Sequence, residues 1–145
     1  MKHLLEKTIQ QHIDADANQF LAEMARLHQE AKTLTLIHAD LHHDHIRMDG
    51  DQLYLIDFDD ARYGSYYLDL PNLFNENSVW HYKKALDDLI QTDDDTLFME
   101  RFSLVDQYVG FKYMGFSLWR WREVEAGRDE GLMRMISRAL GKIHV

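Results

Sequence analysis

The sequence predicts a mainly α-helical domain that contains one small β-hairpin, which is an α+β fold. The chain has 145 residues, the size of one ordinary domain, and we expect residues 1–145 to fold as a single unit. Apolar residues recur at helical spacing towards both ends of the chain. Between them, an Asp-Gly pair separates two short apolar runs, which is the pattern of a hairpin.

The first third of the chain predicts two amphipathic helices. A break at residues 14–16 separates two apolar series, and we expect each series to pack one helix face against the core. The series are Leu4, Leu5, Ile9 and Ile13, and then Phe20, Leu21, Met24 and Leu27.

Short strands are expected in the middle of the chain. Leu34–Ile37 is a short apolar run with a β-branched bias. The runs 46–48 and 53–56 flank Asp49-Gly50-Asp51-Gln52, and glycine supplies the positive φ that a tight hairpin turn needs. The loops at the outer ends of these strands are rich in histidine and aspartate.

The rest of the chain predicts helices, at residues 68–74, 79–90, 97–121 and 132–143. Pro71 is tolerated if it lies in the first turn of its helix. The cluster Thr92-Asp-Asp-Asp95 is expected to cap the next helix, and Gly110 and Gly115 are expected to divide or bend the long one. The aromatic residues of the long helix are expected to lie in the core rather than to form a ligand site, and they are Tyr108, Phe111, Tyr113, Phe116, Trp119 and Trp121.

The composition limits the classes of function. The absence of cysteine excludes disulfides, thiolate catalysis and Cys-type zinc sites. An isoelectric point near 5.3 argues against nucleic-acid binding, and no apolar run is long enough for a membrane span, so we expect a cytoplasmic protein. Residues 1–119 carry 21 acidic side chains against ten Lys and Arg side chains. This acidity predicts either a solvated surface or a cleft that attracts a metal ion or a cationic substrate.

Two short segments carry the residue types of a metal-dependent active site. His38-Ala-Asp-Leu-His-His-Asp-His45 follows the first strand, and Leu55-Ile-Asp-Phe-Asp-Asp-Ala61 closes the hairpin. Loops at the ends of one hairpin can converge on a single point. Carboxylates that converge there can bind a hard cation and orient a hydroxyl nucleophile.

These segments resemble the aminoglycoside phosphotransferase and choline kinase-like family, which has the protein-kinase fold. The family loop reads roughly His-Gly-Asp-Leu-His-Pro-Gly-Asn, and its hairpin leads to Ile-Asp-Phe/Trp-Asp/Glu. Residues 38–45 and 56–59 match these motifs, and residues 63–70 resemble the next segment of the family, a glycine and then Asp-Leu-Ala. The resemblance implies the C-terminal lobe of a kinase-like fold, with the catalytic loop and hairpin at about residues 34–60.

The resemblance also implies an activity and its cofactors. The family transfers a phosphate group from ATP to a hydroxyl group of a small molecule with the help of Mg²⁺, and the acidic composition weakly favours a cationic acceptor. Asp40 would be the catalytic aspartate that accepts or orients the hydroxyl proton. Asp57 would bind magnesium, and Asp59 beside it could help to hold metal or substrate.

Other positions match or replace residues that support the site in the family. His38 would brace the catalytic loop, His42 would do the same, and Asp69 would steady the loop that comes after the metal-binding aspartate. His45 stands where the family has asparagine as a second magnesium ligand, although imidazole suits softer metals. The pair His43-Asp44 replaces the Pro-Gly of the family.

The chain is short for this resemblance. Only 37 residues precede His38, and no glycine occurs before Gly50, so we expect the nucleotide-binding lobe to be absent. The isolated chain would then be an incomplete kinase. Either the polypeptide was cut in this way, or the gene is short, or a partner chain supplies the missing lobe. A homodimer is a further expectation.

The residues leave two other functions open. A metal-dependent hydrolase is one, because Asp40-x-His42-x-Asp44-His45 is similar to the zinc motif of metallo-β-lactamase-like hydrolases, with aspartate in place of the first histidine. A non-catalytic module derived from a kinase lobe is the other. Such a module would bind a ligand, regulate a partner or dimerise through the surface that the absent lobe would cover.

Overall fold

The computed structural model describes residues 19–123 and 130–142, which form four α-helices and four short β-strands. The mainly α-helical α+β fold predicted from the sequence is confirmed. The helices are α1 (19–29), α2 (Val79–Asp87), α3 (Asp95–Glu123) and α4 (Glu130–Lys142). The strands are β1 (Leu34–Ile37), β2 (Ile46–Asp49), β3 (Gln52–Leu55) and β4 (Arg62–Ser65).

Strands β2 and β3 form the predicted hairpin. They pair in an antiparallel register that runs from Ile46 opposite Leu55 to Asp49 opposite Gln52. Gly50 lies in the turn with φ +58°, a left-handed conformation that glycine adopts without steric cost. The local turn chemistry therefore fixes the strand register.

Strand β4 was not predicted, and it pairs with β1 in a second antiparallel ladder. Leu34 lies opposite Ser65, and Ile37 lies opposite Arg62. A Cβ atom added at Gly64 would lie only 2.8 Å from Cδ1 of Ile37, so a larger residue at this position would displace the buried Ile37 side chain. The ladder places the residue that comes directly after β1, His38, beside the chain that leads from β3 into β4.

Helix α3 supplies the centre of the core. Phe98, Phe102, Val105 and Val109 recur at helical spacing and are all buried. They belong to one apolar cluster with residues from α1, β1 and the short 3₁₀ helix Tyr66–Asp69, namely Met24, Leu27, Ile37, Tyr66, Tyr67 and Leu68. The packing of α3 against these segments joins the ladder of β1 and β4 to the helical core through Ile37.

The helices differ from the prediction at several points. The helix expected at 68–74 is wrong, because only the 3₁₀ helix Tyr66–Asp69 and turns occupy this region. Pro71 has no N–H group to donate and disfavours helical backbone at the residue before it. Helix α2 ends at Asp87 rather than at residue 90. Helix α3 continues through Gly110 and Gly115 without a break.

The aromatic residues of α3 are only partly in the core. Tyr108 and Tyr113 pack against it, but the side chains of Phe116 and Trp119 are 45% and 57% exposed. The prediction of a core position is wrong for these last two, whose rings contact each other with centroids 5.8 Å apart. The apolar stripe extends beyond the surface that the rest of the described chain covers.

A buried carboxylate, Asp93, joins the segment after α1 to α3. The residue is 4% exposed and receives a hydrogen bond of 2.8 Å from the hydroxyl of Tyr67. It forms ion pairs with Arg101 and Lys32, each with an N···O distance of 2.5 Å. Burial alone would raise the pKa of Asp93. The hydrogen bonds from Lys32 and Tyr67 and the charge of Arg101 outweigh burial, so the pKa lies below its ordinary value.

Neighbouring residues of the cap cluster before α3 therefore have different roles. Asp94 caps the helix, because its Oδ1 accepts a hydrogen bond of 3.0 Å from the backbone N–H of Leu97. Asp93, which the sequence places in the same cap, instead lies inside the protein.

Some predictions fall outside the described residues. They concern the apolar series at Leu4, Leu5, Ile9 and Ile13, the side chains of Trp121 and Leu132, and Ile143. Across residues 19–123 and 130–142, no helix combines the length and the apolar character that crossing a membrane requires.

Candidate active site

The loop after β1 and the loop after β3 lie against each other. The backbone N–H of Ile56 donates a hydrogen bond of 3.0 Å to the carbonyl oxygen of His45. The Nε2 atom of His38 lies 2.8 Å from the carbonyl oxygen of Ile56. Because a carbonyl can only accept, Nε2 of His38 is the donor in this bond. These bonds bring together the two segments that carry the sequence motifs.

Asp69 holds the start of the first loop. Its Oδ2 accepts a hydrogen bond from the backbone N–H of His38, and its Oδ1 accepts one from Ala39, both at 2.8 Å. A carboxylate that accepts two backbone N–H groups forms strong, charge-assisted hydrogen bonds. In this structure Asp69 therefore contacts the loop that precedes Asp40, whereas the family resemblance placed it at the loop after Asp57.

Both loops contain a residue in the left-handed region of backbone space. Ala39 has φ +68°, and Asp57 has φ +64°. A residue with a side chain costs roughly 1–2 kcal/mol in this region. Such strain persists where the surrounding structure imposes it, and it clusters at functional sites. Position 39 is also the place where the family motif has glycine.

Asp40, His42 and His45 form a compact cluster. One potential ligand atom from each of the three residues lies within 4.8 Å of the other two. The Nε2 atom of His42 is 3.8 Å from Oδ2 of Asp40, and the rings of His42 and His45 have centroids 3.8 Å apart. The Nδ1 atom of His45 lies 2.9 Å from the carbonyl oxygen of Asp40, which fixes the orientation of the His45 ring.

Asp57 lies beside this cluster. Its Oδ2 atom is 3.4 Å from Nε2 of His45. The side chains of Asp57 and Asp40 are 54% and 36% exposed, so both carboxylates are open to solvent and to ligands. Of the residues that the sequence singled out, the structure brings Asp40, His42, His45 and Asp57 together.

The remaining predicted site residues have different surroundings. His38 is buried, and its ring packs against those of His45 and Phe58, with centroids 5.3 Å and 4.7 Å away. Its Nδ1 atom is buried without a hydrogen-bond partner among the described residues. Asp59 is exposed and, within the part of the chain that the structure describes, has no hydrogen-bond or ion-pair partner.

A cavity of about 260 Å³ lies next to residues 42–44. Its other walls include Asn72, Tyr113 of α3, and Arg138 and Lys142 of α4. Burial, and after it the negative charge of Asp40, raises the pKa of Tyr113 above its usual 10.0, so the phenol keeps its proton at neutral pH. Lys142 is fixed by an ion pair with Asp106 and a hydrogen bond to the carbonyl of Pro71.

Sequence reasoning missed these cavity residues. Tyr113 was expected in the core with its aromatic neighbours, and Asn72 and Arg138 belong to no motif that the sequence displays. Only the packing of α4 against α3 brings Arg138 beside Tyr113 and residues 42–44. A polar residue inside an aromatic stripe is the one signal that could have drawn attention to Tyr113.

Comparison with known proteins adds an independent observation. A family model described as "Phosphotransferase enzyme family" matches residues 3–102, a range that includes both loops and Asp69. Neither the curated proteins nor the solved structures gave a match. The family match spans more than half of the chain and confirms the resemblance to aminoglycoside phosphotransferases and choline kinase-like proteins. On this evidence, the chain belongs to the phosphotransferase enzyme family.

Proposed function

We propose that this chain takes part in the ATP-dependent transfer of a phosphate group to a hydroxyl group of a small molecule. One observation carries the proposal: the two motif aspartates, Asp40 and Asp57, lie on adjacent loops with His45 between them. His45 contacts the backbone of Asp40 through Nδ1 and faces the carboxylate of Asp57 through Nε2. Both carboxylates are accessible to ligands.

Asp40 is the residue that would act on the acceptor. Its half-buried carboxylate adjoins the loop that lines the cavity of about 260 Å³, a space suited to a small molecule. When the acceptor oxygen bonds to the γ-phosphorus, the bond between this phosphorus and ADP breaks. The carboxylate of Asp40 takes up the hydroxyl proton that is released.

Asp57 is the residue that would hold magnesium. Mg²⁺ in such enzymes is bound by one or two carboxylates together with substrate phosphates and water, and the exposed carboxylate of Asp57 fits this donor set. When bound, the ion neutralises negative charge on the phosphates. The imidazole of His45 does not fit, because Mg²⁺ prefers oxygen ligands. Asp59 is the further oxygen ligand predicted from the sequence, and its side chain is exposed on the same loop as Asp57.

Asp69 and His38 would act as positioning residues. Asp69 holds two consecutive backbone N–H groups just before Asp40, and His38 ties this loop to Ile56, the residue before Asp57. His42 would brace the same loop against Asp40. The carboxylates of Asp40 and Asp57 would thereby be held at a fixed separation. Positioning of this kind is a main contribution that a protein makes to phosphate transfer.

The charge of the acceptor stays a prediction. The acidic composition favours a cationic molecule, but the cavity combines the carboxylate of Asp44 with the guanidinium of Arg138. A hydroxyl-bearing molecule that carries both a positive and a negative group would complement this lining.

Calorimetric titration of the full chain with Mg²⁺-ATP tests the proposal. The wild-type chain should bind, and Asp57→Asn should weaken binding at least about tenfold, because one charged metal ligand is lost. Asp60→Asn is the matched control, since Asp60 is an exposed aspartate on the same loop, and its affinity should not change. Absence of nucleotide binding by the wild-type chain, or equal losses in both variants, would contradict the proposal.

A second function, as a binding module, is favoured by an apolar face on the two ladders. Leu36 and Tyr63 lie opposite each other on β1 and β4 and are 71% and 72% exposed. Met48 and Leu53 lie opposite each other on the hairpin, and these residues are 63% and 59% exposed. Exposed apolar side chains grouped in this way are typical of a protein–protein contact. A second copy of this chain, or a chain that supplies a nucleotide-binding lobe, would cover them.

Light scattering over a range of concentrations separates these partners. A homodimer should show twice the monomer mass, and Leu53→Ser should shift the equilibrium to monomer. Leu89→Ser is the control, because Leu89 is 79% exposed and lies two residues after the end of α2, outside both ladders. A monomer at all concentrations would exclude the homodimer and leave the partner chain as the binding proposal.

A further inference from the structure

The hydrogen bonding of His45 defines where the proton of its ring lies. The Nδ1 atom is 2.9 Å from the carbonyl oxygen of Asp40, and a carbonyl oxygen can only accept a hydrogen bond. Nδ1 of His45 therefore carries the hydrogen. In the neutral ring, Nε2 then carries a lone pair and is a potential metal ligand.

This lone pair faces another acceptor. Nε2 of His45 lies 3.4 Å from the carboxylate oxygen of Asp57, and two acceptors at this distance repel unless a proton or a cation lies between them. The nearest contact of His42 with Asp40, from Nε2 to Oδ2, is 3.8 Å and thus too long for a hydrogen bond. The side chains of Asp40, His42, His45 and Asp57 thus face each other without forming these two side-chain hydrogen bonds.

The spacing of these atoms is close to that of ligands around one metal ion. A tetrahedral ion with bonds of about 2.0–2.1 Å holds its ligand atoms about 3.3 Å apart. In this structure the ligand atoms of Asp40, His42 and His45 all lie within 4.8 Å of one another. The side chains of Asp40 and His42 are partly exposed, and rotation of these two would close the remaining difference.

We propose that Asp40, His42 and His45 bind a divalent ion of borderline softness, with Zn²⁺ as the best fit, at a site separate from the magnesium position at Asp57. Two imidazoles and one carboxylate are a common donor set for zinc and leave a fourth position for water. The hydrogen bond from Nδ1 of His45 to a carbonyl is the outer-shell contact that orients metal-binding histidines. Asp57 adds a second negative charge beside the ion.

The site has a consequence that rests on the proposed function. A carboxylate of Asp40 that is bound to Zn²⁺ cannot accept the proton of a hydroxyl group. Zinc binding and phosphate transfer would therefore exclude each other, and His45 is the residue that creates this competition in place of the family's asparagine.

Titration of metal-free, full-length protein with Zn²⁺ by calorimetry tests the site. The wild-type chain should bind one equivalent. His42→Ala and His45→Asn should each weaken binding by about 100-fold, because losing a ligand costs at least as much as losing an outer-shell contact. His43→Ala is the matched control, since His43 is exposed on the same loop and outside the cluster, and its affinity should stay within about twofold of wild type.

Several results would overturn the site. They are absence of saturable binding by the wild-type chain, unchanged binding in the two ligand variants, or an equal loss in His43→Ala. Circular dichroism confirms that each variant is folded, and His45→Asn keeps the test valid if His42→Ala is not, because asparagine is the family residue at this position.

A parallel titration of the wild-type chain with Mg²⁺-ATP separates this proposal from the proposed function. Failure of zinc binding with intact nucleotide binding overturns only the zinc site. Failure of nucleotide binding with intact zinc binding overturns only the proposed kinase activity.

Discussion

The aspartates of this protein lie in two contrasting environments. Asp93 is 4% exposed and has three partners within the chain, namely Tyr67, Lys32 and Arg101. The carboxylate of Asp40 is half-buried and that of Asp57 is exposed, and their nearest side-chain partners are histidines at 3.8 Å and 3.4 Å. An aspartate that finds its partners inside the chain stabilises the fold. An aspartate that is held in place without such partners is available to a ligand.

The backbones of the two regions differ in the same way. Asp93 leads into a well-capped helix, whereas Ala39 and Asp57 on the site loops adopt left-handed conformations. The fold thus accepts a local cost at the site and offsets it in the core and in the network around Asp93. Variants should separate these regions by their effect on stability and on ligand binding.

Replacing Asp93 should have the largest effect on stability. Asp93→Asn leaves the charges of Arg101 and Lys32 without their buried partner, and we expect the free energy of unfolding to fall by about 3 kcal/mol. This is the lower end of the usual range, because Arg101 keeps Glu30 at 3.0 Å and the side chain of Lys32 is 52% exposed. Urea denaturation monitored by circular dichroism measures the change.

Asp57→Asn is the counterpart in the site. It removes an exposed carboxylate, so it should change the free energy of unfolding by no more than about 0.5 kcal/mol while it weakens Mg²⁺-ATP binding. If Asp57→Asn destabilised the chain as much as Asp93→Asn, the distinction between a stabilising and a ligand-binding carboxylate would be wrong.

Replacing Asp69 should affect stability less than replacing Asp93 and more than replacing Asp57, because the partners of Asp69 are backbone groups of the site loop itself. Asp69→Asn replaces one of two accepting oxygens with an amide donor that faces a backbone N–H group. We expect a loss of about 2 kcal/mol in the free energy of unfolding, together with weaker Mg²⁺-ATP binding. The same denaturation and calorimetry experiments measure both, and Asp60→Asn should change neither.

Acid should remove the stabilisation that Asp93 contributes to the fold. The pKa of Asp93 is lower in the folded chain than the ordinary value of 3.8, so its stabilisation is fully present above that value and is lost as the pH falls through the lowered pKa. We expect the melting temperature of the wild type to fall below about pH 4. The slope should be shallower in Asp93→Asn, and an equal slope in both proteins would show that other groups dominate.

The sequence predicted the parts of this structure that depend on local signals. The Asp-Gly turn located the hairpin, and the motifs around Asp40 and Asp57 located the two loops that meet. Family resemblance then supplied the roles of individual residues, which the variants of Asp57 and Asp69 are designed to test.

Features that depend on distant parts of the chain could not be predicted. Strand β4 exists because it pairs with β1, some thirty residues earlier. Asp93 looked like one of three equivalent capping residues until the positions of Lys32 and Arg101 were known. Arg138 reaches Tyr113 and residues 42–44 only because α4 packs beside α3. In each case the structural role depends on a contact with a distant part of the chain, which the local sequence does not indicate.

The smallest expected effect is that of Ala39→Gly on the free energy of unfolding, and its sign shows whether the site loop is strained. Ala39 has φ +68°, where a side chain costs roughly 1–2 kcal/mol, while glycine loses about 0.5–1 kcal/mol through the greater entropy of the unfolded chain. Ala39→Gly should therefore raise the free energy of unfolding by about 0.5 kcal/mol. Ala85→Gly, at an exposed position inside α2, should lower it by about 0.5–1 kcal/mol.

Thermal and urea unfolding of the two variants side by side would measure this difference. Opposite signs would mean that the site loop carries real backbone strain, held in place by Asp69 and the surrounding bonds. A loss in Ala39→Gly equal to that in Ala85→Gly would mean that the loop adopts its conformation at no cost. The contrast between a strained site and a relaxed core would then rest on side-chain charge alone.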